Sequence, residues 1–263
     1  MKDGRRLWWH HVEEAAEVLL ITAGMALFLR ACVIDAVHVP SPSMENTILS
    51  GDFLLVNKLV YGATLPRNFL FLKQQGPLWR FPGIRAPRRG DVIEFFPPDE
   101  RDGRTTGFRR SYVKRIIGLP GELVAVRGGV VTVNEREIKE PETATERRRT
   151  IQDFPPVRVP RKGDRIILRE ETMGEWGPII RCDGHALTKG PQERVLIDGK
   201  PQTMYEVSQD YFFALGDNIT NSSDSREWGF LPLDHIVGLA SLVYWSSDPD
   251  DGIRWSRIAT LIR

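Results

Sequence analysis

Cysteine and histidine are scarce in this 263-residue chain, and their scarcity removes whole classes of chemistry. Only Cys32 and Cys182 are present, one within an apolar segment and the other deep in the polar region. Such a pair gives no disulfide framework. No Cys/His cluster has zinc-ligand spacing, so no metal is expected. Of the five histidines, three fall at poor places for a Ser-His-Asp triad. His10 and His11 precede the apolar segment and His38 follows it, while His185 and His235 lie far downstream. A hydrolase built on this chain would need another base, and lysine serves if burial keeps it neutral. Charge of one sign is missing too: 36 Lys plus Arg stand against 35 Asp plus Glu. No basic excess marks nucleic acid as a partner. There is no internal repeat, and from Val37 onward no long stretch has helical periodicity.

One long apolar run is present, Val18 to Ile34, interrupted only by Thr22 and Arg30. Extended through Ala15, Ala16 and Ala36, it approaches the length needed to span a bilayer, about 20 residues. Arg30 lies near its end, where the side chain can snorkel to the interface. Lys2, Arg5 and Arg6 precede it and place residues 1–14 in the cytoplasm by the positive-inside rule. Trp8 and Trp9 fit an interfacial belt. A buried core helix would show a polar face, and a cleaved secretory peptide would end in an A-x-A-like site before Pro40; neither pattern is found. Residues 15–36 therefore read as an uncleaved transmembrane anchor, with the remainder on the far side of the membrane.

The 23 glycines and 18 prolines are spread widely, as expected for many turns between short strands. Strands are predicted at Phe53 to Val56, Asp91 to Phe96, Tyr112 to Ile117, Leu123 to Val126, Val130 to Val133, Arg165 to Leu168, Val195 to Ile197, Tyr211 to Leu215 and Val237 to Tyr244. This is a mainly β architecture. The Pro- and charge-rich stretches at Glu140 to Arg149 and Pro155 to Lys162 look like a boundary. Residues 139–204 are expected to form a smaller β subdomain inserted into a catalytic β domain of residues 37–138 and 205–263.

Three segments could carry chemistry. Val39-Pro40-Ser41-Pro42-Ser43-Met44-Glu45-Asn46-Thr47 follows the anchor and holds two serines between stiffening prolines. It could present one hydroxyl to a substrate while the other helps hold an oxyanion, or it could be a plain Pro/Ser linker. In Tyr112 to Ile117, read as a strand, Tyr112, Lys114 and Ile116 share a face. Lys114 would then have the apolar neighbours that a lowered pKa requires; alternatively Lys114 and Arg115 are a solvated edge. Gly216 to Gly229 is a dense run of loop formers behind an apolar strand, which suggests either a structured functional loop or a simple turn. Its spacing fits no EF-hand.

Together these segments resemble the type I signal peptidases, the bacterial leader peptidases. The blocks are Pro40-Ser41-Pro42-Ser43-Met44, Gly51-Asp52 through Lys58, Arg89-Gly90-Asp91-Val92 with Tyr112 through Gly121, and Gly216-Asp217-Asn218 through Trp228-Gly229, in family order. The resemblance implies Ser43 as nucleophile and Lys114 as general base, with an acyl-enzyme and no cofactor. It implies an oxyanion hole from the Ser43 N–H and the Ser41 hydroxyl, and Ser222 orienting the Lys114 amine. Asp224 and Arg226 would pair to hold the loop, with Asp217 and Asn218 structural. Two positions depart from the family pattern: Pro42 stands where the family has Gly, and Asn46 where it has Pro. Pro42 fixes φ and lacks a donor, which bears on the oxyanion role of Ser41.

The family cuts after small residues at −1 and −3, which implies shallow pockets lined by residues flanking the pair: Val39, Pro40, Met44 and Tyr112. The partners implied are signal peptides of secreted preproteins, the lipid bilayer and the export machinery, at a prokaryotic inner membrane. The stretch from Phe69 to Phe81 is apolar enough to dock on the bilayer or to pack on the protein. Self-cleaving Ser/Lys repressors share the dyad but carry a DNA-binding helix-turn-helix in place of an anchor. Two more rivals are a pilin- or conjugation-specific leader peptidase and an inactive membrane-anchored β-domain that binds exported proteins.

Overall fold

The computed structural model describes residues 2–63, 80–98, 111–138, 153–191 and 194–263. Helix α1 (Lys2–Cys32) opens the chain. Its segment Glu14–Cys32 has 19 residues, a mean hydropathy of 1.7 and no burial against the protein, the length and composition of a membrane span. Val18, Leu19, Leu20, Leu27 and Phe28 are all exposed there. At Val33 the backbone leaves the helix and enters β1 (Ile34–His38). The predicted anchor therefore ends about four residues early. Ile34 to Ala36 belong to a strand because they pair with Leu55, Val56 and Asn57 in register.

After β1 come β2 (Asp52–Asn57), β3 (Val92–Phe95) and β4 (Tyr112–Gly118). A second group follows: β5 (Leu123–Arg127), β6 (Val130–Val133), β7 (Arg136–Glu137), β8 (Phe154–Arg158), β9 (Arg165–Ile167), α2 (Met173–Cys182), β10 (Leu187–Lys189), β11 (Val195–Ile197), β12 (Lys200–Pro201) and β13 (Met204–Glu206). The chain then returns through β14 (Tyr211–Leu215), α3 (Ser225–Trp228), β15 (Leu231–Pro232), β16 (Ile236–Asp248), β17 (Gly252–Ile253) and β18 (Thr260–Leu261). The protein is mainly β, as predicted.

The large sheet runs β1-β2-β16-β3-β4-β14-β15, with β17 and β18 also on β16. Alternation sorts its side chains to two faces. Val92 and Val113 join Val37, Val39, Met44, Ile48, Leu54 and Val56 in one core. Ile93, Phe95 and Ile116 join Tyr61, Phe212 and Ile236 in another. Each fully buried aliphatic side chain contributes about 1.5–3 kcal/mol of apolar transfer. Gly51, at φ +88°, is forced: a Cβ there would lie 2.0 Å from the Ser247 carbonyl oxygen.

The second group packs its own core around Val124, Val131, Ile179, Ile180 and Val195, which continues into Tyr211, Phe213 and Leu215 of β14. Its four-stranded sheet runs β7-β6-β5-β8, so the predicted boundary at 139 falls between strands of one sheet. Two further expectations are corrected. Pro155 and Pro156 lie in β8, an edge strand, where a missing N–H is tolerated. Met173–Cys182 is helical despite Pro178, because Ile179, Ile180 and Cys182 are buried by it. The helix end is fixed by Asp183, which accepts hydrogen bonds from the Tyr205 and Tyr211 hydroxyls at 2.6 and 2.9 Å. Most of the Phe69–Phe81 stretch lies outside the described residues. Of its last two residues, Arg80 donates to the backbone carbonyls of Tyr61, Gly62, Leu233 and Ile236, and Phe81 is exposed.

Candidate active site

Beyond β1 the chain turns through a short 3-10 helix, Pro42–Met44, with Ser41 extended at its N-cap. Pro42 occupies the first helical position, where its fixed φ suits the turn and no N–H is needed. The first closing bond of the turn is Glu45 N–H to the Pro42 carbonyl, at 3.0 Å. The Ser43 N–H precedes it, as one of the donors that a helix N-terminus leaves unused. Asn46 has φ +97°, a conformation closed to proline and tolerated by Asn. The two departures from the family pattern thus sit in a turn whose geometry suits each of them.

Ser43 is buried, and its Oγ accepts a hydrogen bond from Lys114 Nζ at 2.7 Å. Ser41 Oγ lies 3.2 Å from Ser43 Oγ. Lys114 stands on β4 opposite Ile93 and is 2% exposed. Burial pushes its pKa down to about 8, against the pull of Asp224, Asp217 and Glu227 and with help from Arg226. A substantial fraction of neutral amine therefore exists at mildly alkaline pH, beside a hydroxyl.

The loop after β14 clamps this turn. Asn218 N–H donates to the Ser43 carbonyl at 3.0 Å, and its Nδ2 donates to the Pro42 carbonyl and to Glu45 Oε2. Asp217 accepts two bonds from Arg115 at 2.8 and 2.7 Å and one from Thr47 at 2.6 Å. Asp224, wholly buried, caps α3 and is gripped by Arg226 Nε and Nη2, each at 2.8 Å. Gly216 is held where a Cβ would lie 2.2 Å from Ser222 Oγ and 2.4 Å from the Ser43 carbonyl. Close approach, not φ, requires glycine here.

One expectation fails. Ser222 Oγ is buried with no hydrogen-bond partner, so the expected bond to the Lys114 amine is not made in this structure. That amine is turned to Ser43, while the Ser222 hydroxyl is wedged against Gly216. The four expected lining residues separate into two kinds. Val39 and Met44 are buried in the core beside Ser43, whereas Pro40 and Tyr112 are exposed. Tyr112 shares strand parity with Lys114 but is 38% exposed, its ring 6.3 Å from that of Phe95.

Strand pairing leaves a gap beside the serine. β3 covers one edge of β4 from Tyr112 to Arg115, and β14 covers the other only from Arg115 onward. Among the described residues Tyr112, Val113 and Lys114 thus keep one edge without a strand partner. A separate cavity of about 530 Å³ backs onto the loop, walled by Thr47, Arg115, Ile117, Leu215 and Asp217 among others. Neither Ser43 nor Lys114 lines it, so it is not the path to the serine. Among the described residues no cluster of His, Cys, Asp and Glu could hold a metal ion.

A buried serine hydroxyl bonded to a buried lysine amine can give a nucleophile without histidine, which places the protein among the serine hydrolases. Relatives narrow the class. The family described as signal peptidase, peptidase S26, matches residues 12–245. Signal peptidase I of Leptolyngbya laminosa is 27% identical over 232 residues, covering 88% of this chain and 79% of that one. Signal peptidase I of Rickettsia akari is 29% identical, covering 94% and 81%, and that of Pseudomonas aeruginosa is 30% identical, covering 89% and 75%. A solved signal peptidase I from Enterococcus faecalis V583 is 24% identical and overlaps 60% of this chain and 98% of that one at a TM-score of 0.34; the assignment rests on the sequence relatives. The chain belongs to the S26 signal peptidase family, whose serine proteases cleave signal peptides.

Proposed function

We propose that Ser43 and Lys114 are the nucleophile and general base of a membrane-bound endopeptidase that removes signal peptides from exported preproteins. The 2.7 Å contact between Lys114 Nζ and Ser43 Oγ, both buried, carries this reading. Neutral Lys114 takes the Ser43 proton as Oγ attacks the scissile carbonyl. The Ser43 N–H and the Ser41 hydroxyl receive the oxyanion. The tetrahedral intermediate collapses, the amine leaves with the proton returned by Lys114, and the acyl group stays on Ser43. Water, deprotonated by the same lysine, then releases the acyl product. Asn218 acts on none of these atoms; it positions the nucleophile turn through the Pro42 and Ser43 carbonyls.

The substrate adds as an extended strand along the free edge of Tyr112 to Lys114, with main-chain hydrogen bonds giving affinity and pockets giving selectivity. Small residues at −1 and −3 suit the tight surroundings of Val39 and Met44. Helix α1 spans a prokaryotic inner membrane with residues 1–14 cytoplasmic, and the catalytic sheet lies outside, near the lipid surface and the export machinery.

The test is cleavage of a preprotein bearing an Ala-x-Ala site by detergent-solubilised protein. Ser43→Ala and Lys114→Ala are each expected to lose at least about 10³-fold in kcat while remaining folded by circular dichroism. Cleavage that survives either change removes the pair. A folded wild type that leaves this preprotein intact points to a specialised leader peptidase or to a binding role.

A further inference from the structure

One buried ionisable group has no part in this chemistry. Glu94, in β3, is 3% exposed, and its Oε2 has no hydrogen-bond partner. Ser111 bonds the carboxyl, and the charges facing it are Asp35 and Lys58. Lys58 is already committed, to Asp35 at 2.8 Å and to the Arg30 carbonyl at 2.9 Å. An orphaned carboxylate oxygen in a buried site calls for an explanation. Burial raises the pKa of Glu94 to about 7, consistent with that orphan state.

Its position supplies one. Glu94 pairs across strands with Val113, the residue before Lys114. By alternation it shares a face with Val92, which packs with Val113, Val37, Val39 and Met44. Met44 and Val39 flank Ser43 on that face, so a −1 side chain placed at the serine points there. An extended peptide projects −1 and −3 to the same side, about 6.6 Å apart, which is also the spacing of Val37 in β1 and Val39 just beyond it if the chain stays extended there. Strand register places Glu94 toward the Ile34 end of β1, away from Ser43, because Ile93, Leu239, Asn57 and Ile34 lie in one row across the sheet and Glu94 follows Ile93. Residue −3 of such a peptide would meet the face of β3 that carries the unpartnered oxygen.

Resting on the peptidase reading above, we propose that Glu94 is a specificity-determining residue whose carboxyl hydrogen-bonds a side-chain hydroxyl at −3, so that Thr or Ser is favoured there over an aliphatic residue of equal size. A hydroxyl both donates and accepts, so it matches the carboxyl in either protonation state. A site built to bond a polar group discriminates against the analogue lacking it, because its own polar atom is then left unpaired.

The experiment compares kcat/KM for three peptides identical except for Thr, Val or Ala at −3, using the detergent-solubilised full chain. Thr and Val have nearly the same shape and differ in the hydroxyl. The wild type is expected to favour Thr over Val by about tenfold. Glu94→Gln should keep part of that ratio, and Glu94→Leu should invert it. Cleavage of the Ala peptide reports whether each variant is folded and active, whatever its absolute rate. A Thr-to-Val ratio unchanged in Glu94→Leu overturns the proposal. Should that variant fail to fold, a wild type that prefers Val overturns it equally. A wild type that cleaves none of the three removes the peptidase reading itself, and this inference with it.

Discussion

Asp52 and Glu94 are both carboxylates buried in the same sheet, and they are treated in opposite ways. Asp52 lies on the buried face of β2 with Leu54 and Val56, and is saturated with partners. Arg257 grips it through Nε and Nη2, the Ser246 hydroxyl donates at 2.6 Å, and the Leu49 N–H donates at 2.9 Å. Burial alone would raise its pKa, but these donors hold it below the ordinary carboxylate value. Glu94 has one oxygen unmet and Lys114 has only a hydroxyl to hold. The difference separates a region built to stay folded from one that keeps unused polar capacity for a substrate.

Three measurements would sharpen or break that contrast. Asp52→Ala should cost the most stability, about 3–5 kcal/mol by urea unfolding, since it leaves the Arg257 guanidinium without its anion. The sign with pH follows from the lowered pKa. The stabilisation is present above the ordinary value of 3.8 and is lost as pH falls through the depressed folded value. The wild-type and variant stabilities should therefore converge in acid, and a gap that persists at low pH would refute the ionic account.

Lys114→Met should act in the opposite direction, abolishing cleavage while raising stability at pH 7 by on the order of 3 kcal/mol. The folded pKa, about 8, lies below the ordinary 10.5, so the penalty for burying the ammonium is complete below pH 8. It shrinks between those values and vanishes above 10.5, where both states are neutral. Unfolding measured at pH 7 and again near pH 10.5 should show the variant's advantage disappear. A variant less stable than wild type at pH 7 would mean that the lysine supports the fold. The smallest effect is kinetic: kcat/KM should rise about tenfold per pH unit below an apparent pKa near 8 and level off above it. A flat profile from pH 6 to 9 would count against an amine base.

Much of the sheet was legible because β-branched and aromatic runs stand between turn residues. Val130–Val133, Val195–Ile197 and Tyr211–Leu215 are found where they were predicted. Helix α2 was hidden by Gly174, Gly177 and Pro178, local breakers overridden by burial of Ile179 and Ile180. β1 was hidden because its first residues continue the apolar run of the helix, and only pairing with β2 separates them. The juxtaposition of Ser43 and Lys114, 71 positions apart, came through family likeness and not from periodicity. Asn218 was named as structural, but its grip on the nucleophile turn depends on contacts across 175 positions of chain (218 − 43). Glu94 did carry a signal, a lone charge inside Val92-Ile93-Glu94-Phe95-Phe96, though nothing local says that an oxygen of it goes unmet.

Lys58 joins α1 to the sheet by holding both Asp35 of β1 and the Arg30 carbonyl of the helix. Only β1 and the three residues after it, about 27 Å of extended chain, separate that junction from the nucleophile turn. With α1 in a bilayer, the serine cannot range freely above the lipid, because β1 is fixed in register along its whole length against β2. On the proposed reading the protein would then work as a ruler, setting the height above the membrane at which a passing chain is cut, so that an export signal would need a matching length to bring its scissile bond to that mark.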